Sequence, residues 1–172
     1  MGVVAATGGG VMRDVVLNRT PLLLERPDYI LWPIVASVVA IVFLWRQRRP
    51  PRTILAIVEA AGSGAFAVAG ALAAIETDLP FPAVIMLAML TATGGGVLRD
   101  ILADRIPQVL VVEVSATAAG LGGFAVWAFE PTSPGGAAIF GILTVATVRV
   151  AATVFAIHLL APSRDGNPPQ AG

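Results

Sequence analysis

The residues able to do chemistry in this chain come in a pattern that is written twice. Thr7-Gly8-Gly9-Gly10-Val11-Met12-Arg13-Asp14 and Thr93-Gly94-Gly95-Gly96-Val97-Leu98-Arg99-Asp100 differ at one position, and Thr7 to Thr93 is an offset of 86 residues. The same offset pairs Ala6 with Ala92, Arg19 with Arg105 and Pro21 with Pro107. Self-similarity at a fixed spacing marks a duplicated structural unit. A glycine inside a helix costs about 1 kcal/mol against alanine, so two runs of three in apolar surroundings need a reason. Small residues let helix backbones approach closely in lipid. Alternatively, each triple glycine breaks its helix near the bilayer midplane. Carbonyls around Ala92 and Thr93 would then suit a dehydrated cation, and the following amides a carboxylate, with Thr7 and Thr93 adding hydroxyl oxygens. The second reading is preferred here: two broken helices facing each other and lining a permeation site.

Arg13-Asp14 and Arg99-Asp100 follow about one turn later. Neighbouring residues on a helix do not share a face. Pairing within each repeat, across the repeats or with another helix therefore stays open, as does an arginine snorkelling to headgroups. The functional reading is a positive group beside the pore that tunes occupancy or gating. Glu59, Glu113, Arg149 and His158 are the other ionisable groups in apolar stretches, and such groups default to a functional hypothesis with a named partner. Arg149 lies mid-span, and Glu59 and Glu113 are its candidate partners. Both glutamates sit near the ends of their spans, where interfacial exposure is an equal alternative. His158 reads as interfacial. No enzymatic set stands out: there is one histidine, no metal-ligand spacing, no lysine and no phosphate-binding glycine loop. The chain is expected to be no enzyme and to use no cofactor or metal.

Of 172 residues 56% are hydrophobic and 13% charged, with a mean hydropathy of +0.83. Soluble domains carry about 25% charged residues, so this is a membrane protein. Cysteine is absent and net charge is zero, which leaves no thiol chemistry and no pull toward nucleic acid. No charged region with a cleavage site precedes the first apolar run, so no signal peptide is expected.

The elements that must position the motifs are six hydrophobic segments. Residues 1–17 are short for a span, which needs about 20, and 18–28 read as a loop because Pro21 and Pro27 break helices. Residues 29–45 are a span with Tyr29, Trp32 and Trp45 as interfacial anchors and Pro33 in its first turn, where proline is tolerated. Spans follow at 54–75, rich in small residues, at 83–103 with the second triple glycine, at 109–129 and at 135–160. Arg46, Arg48, Arg49 and Arg52 place their loop in the cytoplasm by the positive-inside rule. The 18–28, 76–82 and 130–134 segments then fall outside, and 104–108 and the C-terminus inside. The first glycine helix runs outward and the second inward, an inverted repeat of the kind common in transport proteins. The expected units are 1–49 for the first repeat, 50–130 for the second, 131–161 for a final helix and 162–172 for a disordered cytoplasmic tail. The repeat also maps Ile54, where the second unit opens, to about 33 positions before Met1. The first unit is therefore expected to lack its opening helix, through a late start codon or truncation; a five-and-a-half-helix protein with the gap filled by a neighbouring subunit is the alternative.

GGGVMRD and GGGVLRD, with EAAGSGAFAVAGALAA before the second copy and Pro107 and EVSATAAGLGGFAVWA after it, resemble the trimeric intracellular cation channel family. Some bacterial members are classed under a glycine transporter domain. The resemblance covers residues 1–162. It implies an all-α polytopic membrane fold of seven helices, two inverted three-helix repeats plus a final helix, assembled as homotrimers with a pore in each subunit. It further implies that Gly8, Gly9, Gly10, Gly94, Gly95 and Gly96 form kinks beside that pore. Arg149 would match a basic position in the last helix and Glu113 an acidic one in the sixth. This chain departs from the pattern in lacking the first helix, in having Glu59 where aspartate is usual, and in a 78–80 turn without the expected glycine.

The function expected from all this is a plasma-membrane channel passing monovalent cations, chiefly potassium, with lipid and two further copies as its partners. The alternatives are a carrier for glycine or another small zwitterion, which would use both ends of each broken helix, and an inactive membrane fragment.

Overall fold

The computed structural model describes residues 1–26, 28–46, 52–105 and 114–154. In chain order the helices are α1 (Gly2–Val16), α2 (Leu22–Glu25), α3 (Asp28–Arg46), α4 (Arg52–Ile75), α5 (Phe81–Leu102), α6 (Val114–Phe129) and α7 (Pro134–Val154). No strand occurs among the described residues. Ala56–Ile75, Phe81–Leu102 and Gly135–Ala152 are long and apolar enough to cross a membrane; Tyr29–Val42 and Val114–Phe129 are shorter apolar helices. The tail, His158, Glu113 and the proline-arginine run at 47–51 lie outside the described residues.

Two local expectations change. The 18–28 stretch carries one helical turn, α2, opened by Pro21 in an extended conformation. Pro33 is interior to α3, which starts at Asp28. Lacking an N–H, Pro33 leaves the Tyr29 carbonyl without its helical donor.

The duplication is preserved down to the helix ends. At the end of α1 the Asn18 N–H donates to the Val15 carbonyl and the Arg19 N–H to the Asp14 carbonyl; at the end of α5 Asp104 donates to Ile101 and Arg105 to Asp100. Asn18 and Asp104 take left-handed φ values of 52° and 53°, conformations open to Asn and Asp because their side chains are short and polar. Both ends are Schellman caps, which satisfy otherwise orphaned carbonyls. A third closes α4, where Asp78 has φ 53° and the Leu79 N–H reaches the Ala74 carbonyl. In that turn the aspartate itself takes the conformation a glycine would have supplied. Ser133 caps α7 through a 3.2 Å bond from the Gly136 N–H, ahead of a proline at the first helical position.

The core lies among α4, α5, α6 and α7 and is built from alanine and valine, with Ala67, Ala71, Ala88, Ala118, Val84, Val126 and Val145 fully buried or nearly so. Helices in lipid gain nothing from hiding apolar groups from one another, so close backbone approach through small residues must hold them. Gly141 of α7 leaves room for the side chains of Val126 and Val68, and Gly123 of α6 for Ala88. The Phe81 and Trp127 rings, with centroids 4.6 Å apart, join the start of α5 to the end of α6. Arg19 and Glu76, 3.9 Å apart, bring the ends of α1 and α4 to the same side. The 18–26, 76–82 and 130–134 segments therefore share one face of the molecule.

Candidate functional site

The two triple glycines meet. α1 and α5 cross antiparallel, with Gly9 against the Thr91 carbonyl and Gly95 against the Ala5 carbonyl. The 86-residue offset turns each of these contacts into the other, so a local two-fold axis runs through the crossing. A Cβ on Gly9 or Gly95 would collide with the facing backbone oxygen. In each case the hydrogen in place of that Cβ points at the carbonyl, the geometry of the weak C–H···O bonds found at close helix crossings. The outer glycines follow the same symmetry: a Cβ on Gly8 would lie 2.8 Å from Leu98 Cδ1, and one on Gly94 2.8 Å from Met12 Sδ. Gly10 and Gly96 differ, with nothing within 4 Å of the Cβ position.

Both helices run through their glycines without interruption. The expected pair of broken helices with free carbonyls near Ala92 and Thr93 is thus corrected. Close packing stabilises the helical path that glycine's backbone freedom would otherwise weaken, and the i to i−4 pattern continues. The threonine hydroxyls are tied to the same ladder: Thr7 Oγ1 donates to the Val3 carbonyl at 2.9 Å and Thr93 Oγ1 to Met89 at 2.7 Å.

Each arginine pairs with its own aspartate. Arg13 Nε and Nη2 both reach Asp14 Oδ1, at 2.8 and 2.7 Å; Arg99 Nε and Nη2 reach Asp100 Oδ1, both at 2.8 Å. The separation of neighbours around a helix is spanned because the arginine is long and folds back. Asp14 Oδ2 also accepts the Leu22 N–H at 3.0 Å, which fixes α2 against the end of α1. Both carboxylates are buried, but the Arg13 side chain is 15% exposed and that of Arg99 40%. Arg149 of α7 donates to Glu59 of α4 at 2.8 Å, one of the two partners expected for it; Glu59 is exposed.

A cavity of about 620 Å³ opens beside the first copy of the motif. Its polar wall is Thr7, Gly10, Arg13 and Asp14 of α1, and its apolar wall includes Tyr29, Trp32 and Pro33 of α3 and Phe66 of α4. Charge is confined to one paired arginine and aspartate, so the space is close to neutral. The aromatic residues read from the sequence as interfacial anchors also form a wall of this space. Thr91 went unnoticed in the sequence: it is 1% exposed and faces both Gly9 and Gly70. The only hint was its place two residues before the second motif, where the first copy has Ala5.

An inverted repeat of membrane helices crossing through glycine, with a cavity alongside, defines a polytopic transport-type membrane protein. Residues 1–46 and 56–131 match the family model described as Glycine transporter, one block for each repeat. The inner membrane protein YadS of Escherichia coli K12 is 31% identical over 173 residues, covering 97% of this chain and 83% of the relative. A membrane protein of Deinococcus radiodurans is 38% identical over 134 residues; the match covers 76% of this chain and only 62% of that relative's length. Among solved structures, a TRIC cation channel studied for conductance superposes with a TM-score of 0.83 at 30% identity, covering 96% of this chain and 82% of that one. The TRIC trimeric intracellular cation channel orthologue from Rhodobacter sphaeroides gives 0.78 at 33% identity, covering 90% and 80%. The chain belongs to the glycine transporter family, in which the TRIC channels fall.

Proposed function

We propose that this protein is a membrane channel for monovalent cations, chiefly potassium, working as a homotrimer with a path through each subunit beside the α1–α5 crossing. The observation that carries this reading is the likeness to a TRIC cation channel over 96% of the chain at a TM-score of 0.83. The cavity supports it chemically. Asp14 offsets Arg13, so the charge barrier to a cation is low, and neutral oxygens such as the Thr7 hydroxyl can replace part of an ion's hydration shell. Gly10 and Gly96 keep side chains out of the space beside the crossing. Arg13, Asp14, Arg99 and Asp100 brace the ends of the crossing helices, and Glu59 with Arg149 ties α4 to α7. Glu113 is assigned to this charged set on its resemblance alone. We place the protein in the plasma membrane with its C-terminus cytoplasmic, and divide it into repeats at 1–49 and 50–130 and a final helix at 131–161.

The second reading, a carrier for glycine or a similar zwitterion, is favoured by the description of the family model. Its expected chemistry at half-helix ends is weakened, because α1 and α5 are unbroken. Proteoliposomes loaded for potassium flux and labelled glycine uptake in parallel separate the two. Unsaturated potassium current without glycine uptake supports the channel. Saturable glycine uptake against a gradient sinks it in favour of the carrier. No flux of either leaves a structural membrane fragment.

A further inference from the structure

Among the described residues, one buried side-chain oxygen has no hydrogen-bond partner: Ser63 Oγ, on α4. Several other helical hydroxyls fold back on their own backbone. Thr7, Thr91, Thr93 and Thr144 each donate to the carbonyl four residues earlier. The equivalent acceptor for Ser63 is the Glu59 carbonyl, within reach of a helical serine, and it is not taken. Ser63 is 8% exposed and shares its stripe of α4 with the fully buried Ala67. Alanine would fill such a place without burying a polar group that nothing satisfies. A hydroxyl kept there points to a partner from outside the chain.

Its depth suggests which. Gly70 of α4 packs on the Leu87 carbonyl and the Thr91 hydroxyl of the antiparallel α5. Ser63 lies seven residues before Gly70 on the same stripe, about 10 Å along the axis. On α5 that is the level of residues 94–98, where Gly8 and Gly9 of α1 cross. Ser63 therefore stands beside the glycine crossing on a third helix. Its neighbour Gly62 has open space at the Cβ position, while Gly64 on the other side is packed against Ile142 of α7.

We infer that Ser63 is a specificity-determining residue: its hydroxyl oxygen coordinates the permeating cation as the ion passes the glycine crossing, taking the place of a hydration water. This rests on the channel reading above. A neutral oxygen suits the task, because it stabilises a partly dehydrated monovalent ion without holding it. In the present conformation the oxygen is shut off from solvent, so the path is closed at this level and conduction requires α1 and α5 to part from α4.

The chain has no cysteine, so Ser63→Cys supplies a single thiol for testing in proteoliposomes of the full chain. A small cationic methanethiosulfonate reagent is expected to modify Ser63→Cys and to reduce its potassium current, while Ala67→Cys, one turn away in the packed core, stays unmodified. Ser63→Ala is expected to fold at least as well as the parent and to shift the potassium-to-sodium permeability ratio by about five-fold, the worth of one ordinary hydrogen bond. Parent current with an unchanged ratio in Ser63→Ala overturns the inference and leaves the channel reading standing, as does a Ser63→Cys thiol that stays inert while current flows. Absence of current in the parent protein overturns the channel reading and this inference with it.

Discussion

α3 and α6 are the same element in the two repeats, since the offset of 86 lays Asp28–Phe43 over Val114–Phe129. They have parted company in packing. α6 lies against α5 with Gly120 beside Met89 and Ile85 and Gly123 beside Ala88. On α3 the position matching Gly120 is Ile34, and those matching Ala118 and Ala119 are Trp32 and Pro33. Ala118 and Ala119 are fully buried; Ile34 and Trp32 are exposed. One contact survives with its glycine moved to the other partner: Gly2 of α1 faces Ser37 of α3, where Ala88 of α5 faces Gly123 of α6. Among the described residues α6 is covered by α4 and α7 as well as α5, whereas α3 packs mainly on α1 and α2, and the 620 Å³ cavity lies between α3 and α1. In lipid, where apolar burial does not pull helices together, the width of the residues at an interface decides whether two helices pack or stand apart.

That contrast can be broken where it is strongest. Gly9→Ala and Gly95→Ala place a methyl group into a facing backbone oxygen that cannot move aside. Each is expected to lower stability by about 3 kcal/mol, at the upper end for overpacking, read as an earlier thermal transition in detergent. A loss of flux with unchanged stability would instead restore the broken-helix account of these glycines.

The paired aspartates sharpen the comparison between the two copies. Asp14→Asn removes the partner of a well-shielded Arg13 and weakens the anchor of α2, and should cost about 2 kcal/mol, as for hydrogen bonds to charged groups. Asp100→Asn leaves an arginine that is 40% exposed and can turn to solvent, although the Asp100 carboxylate is as buried as that of Asp14, and should cost somewhat less, about 1.5 kcal/mol. Equal losses in the same unfolding assay would show that the cavity side of the molecule is no better shielded than the other.

Gly10→Ala and Gly96→Ala have room for their new methyl groups and should raise stability by about 1 kcal/mol each through helix propensity. Gly10→Ala also narrows the cavity, so potassium flux is expected to fall while stability rises. Smallest of all is Trp32→Ala. Its exposed ring should contribute within about 0.5 kcal/mol to stability, yet its loss widens the cavity, and a change in flux without a shift in melting temperature is the expected signature.

Much of the fold was legible in the sequence alone. The repeat at 86 residues, the span boundaries near 54–75 and 83–103, and the shared side of the three segments named above follow from spacing, hydropathy and the count of crossings. The same repeat made Gly9 and Gly95 candidates for one site, and the need of a mid-span arginine for a partner pointed Arg149 to Glu59 as one of two candidates. What went astray was the meaning of the glycines. Propensity alone says that three glycines weaken a helix, and it carries no information about a second helix near enough to hold the first in shape.

The sequence by itself determined a membrane protein of two inverted units with a matched glycine helix in each, because periodicity, charge placement and duplication are properties of the chain read along its length. Tertiary structure alone decided the rest: that the glycine helices cross unbroken, that Arg13 and Arg99 each fold back on the neighbouring aspartate, that Ser63 Oγ has no partner among the described residues, and that a 620 Å³ space opens between α1 and α3. Each of these depends on which atoms from distant positions come within a few ångströms, and in lipid that is set by the local fit of small and large side chains between helices, a quantity no single helix carries.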